Sequence, residues 1–200
     1  MSLSPDPAIL TPRKSARQAR SAVTVDVIVE AAARILETVG PEGFTTNTIA
    51  ERAGVSVGSL YQYFPNKDAI TRALIRRELG RVEAAIKAID VDEIEPGPLR
   101  RFVRIAVTQQ LGRPALAQLL EAEEDRLGAE DDMGPVRQRV SNVLSRILST
   151  AGYPAGGDVV QDVMLLIETL VNAAAARGEC DAERLASRVG AVVMGRIQAS

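Results

Sequence analysis

TTNTIAERAGVSVGSLYQYFPNK, residues 45–67, reads as two short helices joined by a glycine turn. Thr46 can cap the first helix, about Asn47 to Ala53, with Ile49, Ala50 and Ala53 on its buried side. Gly54 suits a tight bend that needs positive φ. Ser56 can cap the second helix, which ends near Phe64 because Pro65 cannot extend the hydrogen-bond ladder. The spacing adds a tertiary requirement. Ala50 is small where a second helix crosses above it, and Leu60 is apolar where the space between the two must be plugged. Val57, Gly58, Ser59, Tyr61, Gln62 and Tyr63 are left on the outward side. Two helices of this form set a recognition helix in the major groove of DNA.

The outward side chains divide by chemistry. Gln62 can make a bidentate contact with adenine, Val57 can pack on a thymine methyl, and Gly58 lets the backbone approach a base edge. Ser56, Ser59, Tyr61 and Tyr63 carry hydroxyls that can donate to phosphate oxygens. Thr46 and Lys67 stand at helix starts, where free N–H groups and the helix dipole favour an anion. Upstream, Arg13, Lys14, Arg17 and Arg20 stand against Asp6 alone, a net +3 that leaves −5 for the remainder of a chain whose total is −2. A basic arm on an acidic body fits a molecule of which only one end meets DNA. Arg17 and Arg20 are therefore expected to reach an adjacent minor groove.

Outward from this segment the chain reads as helical throughout. Residues 1–23, with three prolines, read as a flexible basic arm. Ile28, Ala32, Ile35, Leu36 and Val39 fall at helical spacing between a Thr24 cap and Gly40-Pro41. Asn66 can cap a helix carrying Ile70, Leu74, Ile75, Leu79, Val82 and Ile86 to about Ile89. Further helices are expected over about 98–111, 114–128, 135–151, 158–177 and 182–198, broken at Gly112-Arg113-Pro114, Gly134-Pro135, 152–157 and Gly178-Glu179. The expectation is an all-α chain of about nine helices. The arm occupies 1–23, a helix-turn-helix domain 24–69, and a helical ligand-binding and dimerisation domain 70–200.

Composition removes several function classes. The chain has no histidine and one cysteine, Cys180, so a Ser-His-Asp triad, a Cys-His dyad and a Cys/His zinc site are ruled out. No cofactor and no metal site is expected. The acidic runs Glu121, Glu123, Glu124, Asp125 and Glu130-Asp131-Asp132 read as solvated faces in preference to a cation site. No uncharged run approaches the roughly 20 residues of a membrane span, and a cytoplasmic location is expected.

Residues 45–67, and with them IAERAGVSVGSLYQYFPNKDAI, closely resemble the helix-turn-helix of TetR-family transcriptional regulators. The likeness extends over about 13–75 and includes an R-S-x-x-T-V arm, here Arg20 to Val25. Many members carry His where Tyr63 stands, and tyrosine keeps the phosphate-donating role. The resemblance implies a homodimer, a palindromic operator, an all-α body and repression relieved by a small ligand. Its dimer would use the last two helices, with Leu166, Leu170 and Ala174 on one and Leu185, Val189 and Val193 on the other. The ligand would lie among the middle helices, with Phe102, Ala106, Gln109, Leu120 and Leu144 as its candidate lining. The scarcity of aromatics disfavours a cage for a planar cation, so an apolar or acyl-like ligand fits better. The alternatives are a helical adaptor protein and, further off, a metal-binding enzyme built on the acidic runs.

Overall fold

The computed structural model describes residues 13–92, 97–127 and 130–199, without side chains over 13–20, at 115, 121, 124, 125 and 127, and over 130–133. Among these residues there are nine α-helices and no strand: α1 Arg13–Thr38, α2 Thr46–Ala53, α3 Val57–Tyr63, α4 Lys67–Lys87, α5 Pro98–Gly112, α6 Pro114–Leu127, α7 Glu130–Thr150, α8 Gly157–Ala176 and α9 Ala182–Gln198. The expected all-α class and helix number agree with this.

Two boundaries and the apolarity of one helix differ from expectation. The first helix starts at Arg13, so residues 13–23 are helical and Thr24 lies inside α1 and is not its N-cap. The residues after the arm's prolines include no breaker, and the ladder simply continues backwards. At its other end α1 stops as expected, with Gly40 at φ 80° and the N–H groups of Val39 and Gly40 both donating to the Ile35 carbonyl. The second difference is Pro135, which lies inside α7, not ahead of it. A proline near a helix start gives up one ladder bond and ends nothing. The third is α8, whose 20 residues reach a mean hydropathy of 1.5, long and apolar enough to cross a membrane. Asp158, Asp162 and Glu168 interrupt it, and its residues from Val159 to Ala175 include seven buried in this chain's own core.

The helices enclose two apolar cores. One holds Ile28, Ala32, Ile35 and Leu36 of α1, Ile49 and Ala50 of α2, Leu60 of α3, and Ile70, Leu74 and Ile75 of α4. Leu116 and Leu120 of α6 join it. The other holds Ile86, Phe102, Val103 and Val107 with Leu144, Ile147 and Leu148 of α7 and the inner faces of α8 and α9. The expected boundary falls after residue 69, and beyond it Ile70, Leu74 and Ile75 of α4 still pack in the N-terminal core. At 1.5 Å per residue, α4 spans about 32 Å and changes core between Ile75 and Ile86.

Ion pairs tie the same helix to its neighbours. Glu83 on α4 accepts from Arg139 of α7, Nε at 2.5 Å and Nη2 at 3.1 Å, and pairs with Lys87 Nζ at 2.5 Å. The hydrogen bond from Arg139, then that from Lys87, holds its carboxyl down at about 2.

Candidate nucleic-acid interface

Local chemistry shapes the two short helices before any packing is considered. Thr45 caps α2, one residue earlier than expected: its hydroxyl accepts from the Thr48 N–H at 3.2 Å, and the Thr48 hydroxyl accepts from the Thr45 N–H at 3.2 Å. Thr46 is thereby the first residue of the helix. Gly54 ends α2 at φ 68°, ψ 29°. The Gly54 N–H donates to the Glu51 carbonyl and the Val55 N–H to the Ala50 carbonyl, the crossed pair of a left-handed helix stop. Ser56 caps α3 as expected, accepting from the Ser59 N–H at 3.0 Å, and Asn66 caps α4 through the Ala69 N–H at 2.8 Å. Leu60 is fully buried, and Phe64 is 6% exposed beside it.

This packing turns one side of α3 outward. Val57, Gly58, Tyr61 and Gln62 are exposed, whereas Ser59 and Tyr63 are half-buried. The Tyr61 hydroxyl lies 3.2 Å from Thr46 Oγ1, which holds the start of α2 beside α3. Lys67 Nζ sits 5.7 Å from the centroid of the Phe44 ring, just ahead of the α2 cap. Lys67, Thr46 and Tyr61 thus border one surface, from which Val57, Gly58 and Gln62 project. Two of the expected phosphate donors also have partners within the chain. The Ser59 hydroxyl is within 2.8 Å of Ser56 Oγ, so these two hydroxyls satisfy each other at the helix cap, and Tyr63 packs partly on the core. Arg17 and Arg20 lie on the first turns of α1, and their side chains fall outside the described residues. Phe44 and Thr45 were missed by sequence reasoning. The pair Thr45/Thr48 was the available signal for the cap, obscured by Thr46 between them.

A cavity of about 280 Å³ lies where the two cores meet, between α4, α5, α6, α7 and α8. Of the five residues expected to line a ligand site, Phe102, Ala106, Gln109 and Leu120 line this cavity. Leu144 does not: it is fully buried in the body core, on the side of α7 that faces other helices. The cavity is apolar over most of its wall; Glu78, Gln109 and Arg113 converge at one end, and Gln110, Arg137, Glu168 and Asn172 also line it. Glu78 is buried yet fully paired. Its Oε1 accepts from Arg77 Nη2 at 2.9 Å, Arg81 Nη1 at 3.1 Å and Arg113 Nη1 at 3.4 Å, and its Oε2 from the Gln109 amide at 3.5 Å. Arg113 also donates through Nε to Glu37 and lies 3.9 Å from Glu30, both on α1. Its guanidinium is held above the ordinary arginine range by the Glu37 hydrogen bond and the charges of Glu37, Glu78 and Glu30, against the opposing effect of burial, the largest single contribution. In sequence Arg113 reads only as part of a helix break; its carboxylate partners lie 76 and 35 residues away.

A second, larger cavity, about 750 Å³, lies between the start of α5, the end of α7 and α9, with Leu99, Val103, Tyr153 and Met194 among its walls. Its charged side chains, Asp92 and Arg100, are exposed at the margin.

The expected dimer residues need correction. Ala174, Leu185, Val189 and Val193 have no exposed surface and face the chain's own core. Leu166 and Leu170 are half-buried. The apolar groups turned outward from these helices are Leu165, 62% exposed, and Val192, 41% exposed. Among the described residues no group of three or more Cys, Asp or Glu is placed to hold a metal ion. Of the acidic runs, Glu123 pairs with Arg126, while Glu121, Glu124, Asp125 and 130–132 have side chains outside the described residues.

Residues 28–74 match the model of the family described as bacterial regulatory proteins, tetR family. An HTH-type transcriptional regulator of Pseudomonas putida, TtgR, is 30% identical over 174 residues, 86% of this chain and 77% of that one. An uncharacterized HTH-type transcriptional regulator of Mycobacterium tuberculosis is 33% identical over 113 residues, 56% of this chain; the match spans only 55% of that protein's length. In fold, the chain is similar to a TetR-family regulator from Mesorhizobium loti, with a TM-score of 0.73 over 90% of this chain and 98% of that one, at 20% identity.

Proposed function

Because the chain belongs to the TetR family of bacterial regulatory proteins, we propose that it is a sequence-specific DNA-binding transcriptional regulator, a repressor that binds a palindromic operator as a homodimer and leaves it when a small effector enters the 280 Å³ cavity. It acts by binding and not by turnover, in the cytoplasm. The observation that carries this reading is the exposed side of α3, with Val57, Gly58 and Gln62 bordered by the Thr46–Tyr61 pair and by Lys67. Bases are read by the first group and phosphates are met by the second. Arg17 and Arg20, in the first turns of α1, would extend the phosphate or minor-groove contact.

The cavity between the two cores supports the effector half of the proposal. Ile75, Leu116 and Leu120 belong both to its wall and to the core beneath the DNA-reading helices, so filling it acts on both. Homodimerisation rests on the outward faces of α8 and α9, with Leu165 and Val192 at the contact in place of the buried residues first expected.

Selection of bound duplexes from a random pool, using the whole chain, tests the reading. The expected result is a palindrome whose half-sites are separated by about one helical turn or more, bound with strong salt dependence. Recovery of no shared sequence would sink it.

A further inference from the structure

We propose that the effector is an amphipathic anion, with an apolar body and a head that takes Arg113 from Glu37. This rests on the reading of the 280 Å³ cavity as the effector site. The sign of the head follows from the polar end. Its one buried charge, Glu78, already has guanidinium nitrogens of three arginines within 3.4 Å. The joined groups are Arg34, Arg77, Arg81 and Arg113 against Glu30, Glu37 and Glu78, one positive charge in surplus. The rest of the wall is mostly aliphatic, with Phe102 its single aromatic and Gln110, Arg137, Glu168 and Asn172 its further polar groups. An alkyl or alicyclic body fits that wall.

Arg113 is the group in this cluster that lines the cavity and touches α1 as well as α4. Its hydrogen bond to Glu37 fastens the α5–α6 corner to the helix that leads into the DNA-reading unit. An anion that binds the same guanidinium competes with Glu37 and loosens that fastening. Arg113 is accordingly both the specificity-determining residue for the head and the link by which occupancy reaches α1.

The test uses the full chain and three probes of equal length, decanoate, decan-1-ol and decylamine, titrated calorimetrically. Decanoate is expected to bind tightest, by about tenfold, the worth of a charge-assisted hydrogen bond over a neutral one. Arg113→Gln removes that preference, weakening decanoate more than decan-1-ol; Arg113→Lys restores part of it. Glu37→Gln moves the other way and strengthens decanoate binding severalfold, because the competitor for Arg113 is gone, while decan-1-ol is unaffected. A merely structural role for Arg113 would move all three probes together. Decylamine or decan-1-ol binding as tightly as decanoate, or decanoate binding unchanged by Arg113→Gln, overturns the anionic assignment but leaves the cavity as the effector site. Failure of all three probes to bind at millimolar concentration, or binding of all three unaltered by Ala106→Phe in the cavity wall, overturns the effector cavity as well.

Discussion

Replacing Gly54 with alanine isolates the cost of the turn between α2 and α3. Gly54 sits at φ 68°, ψ 29°, and a Cβ built there meets no atom within 4 Å. No clash enters the balance, only backbone conformation. Holding an alanine in the left-handed region costs about 1–2 kcal/mol. The alanine also restricts the unfolded chain, which returns about 0.4–1 kcal/mol. The net expectation is a loss of roughly 1 kcal/mol. Gly80 supplies the control. It lies inside α4, it is not among the glycines at positive φ, and its added Cβ also meets nothing within 4 Å. There the same substitution gains about 0.8–1 kcal/mol of helix propensity. One methyl group, added at two open positions, should therefore act with opposite signs and a spread of about 2 kcal/mol. Asparagine at 54, which tolerates the left-handed region, should fall between glycine and alanine. The assay is urea unfolding followed by far-ultraviolet circular dichroism at one fixed protein concentration, since a dimer's midpoint moves with concentration. Equal shifts for Gly54→Ala and Gly80→Ala, or a stabilised Gly54→Ala, would refute the assignment of Gly54 as a left-handed helix stop.

Lys67→Gln should weaken binding to every duplex alike and reduce the salt slope by about 1, read from binding isotherms at several salt concentrations; Gln62→Ala should instead relax preference at one position of the site. Leu165→Glu with Val192→Glu should shift the chain toward monomer in sedimentation while changing the monomer's own stability by no more than about 0.5 kcal/mol, because both side chains are exposed within the chain; an unchanged dimer would place the interface elsewhere. Glu83 has its carboxyl lowered to about 2 by Arg139 and then Lys87. A lowered carboxyl favours the folded state above the ordinary carboxylate range and loses that contribution as pH falls towards about 2. Glu83→Gln should therefore be less stable than the parent chain near neutral pH, and the gap should close on acidification, as followed by thermal melts across pH.

How much of this was legible beforehand depends on the range of the interaction involved. The caps Ser56 and Asn66, the stop at Gly54 and the end at Pro65 are made within five residues, and the sequence shows them directly. Thr45 and Thr46 differ only in which hydroxyl meets the Thr48 N–H, a geometric choice between identical side chains. In the last two helices, apolar spacing marks a stripe but not what lies against it. Val189 and Val193 face inward and Val192 outward because α5 and α8 pack on one side of α9. Leu144 fails as a cavity residue for the same reason. The cluster around Arg113 was illegible because its members come from three distant stretches of chain. The start of α1 at Arg13 was missed because charged and small residues sustain a helix without showing an apolar stripe.

The sharing of α4 between two cores bears on how such a chain could be recombined. A crossover placed just after Phe64, at the visible end of the DNA-reading segment, would separate Ile70, Leu74 and Ile75 from the α1 and α3 side chains they bury. A junction between Ile75 and Ile86 would respect α4, yet Leu116 and Leu120 of α6 would still belong to the discarded partner. The DNA-reading head and the body are consequently inherited as one mosaic unit. A chimaera that grafts this head onto another body has to carry the inner face of α6 with it, three helices downstream of the motif that does the reading.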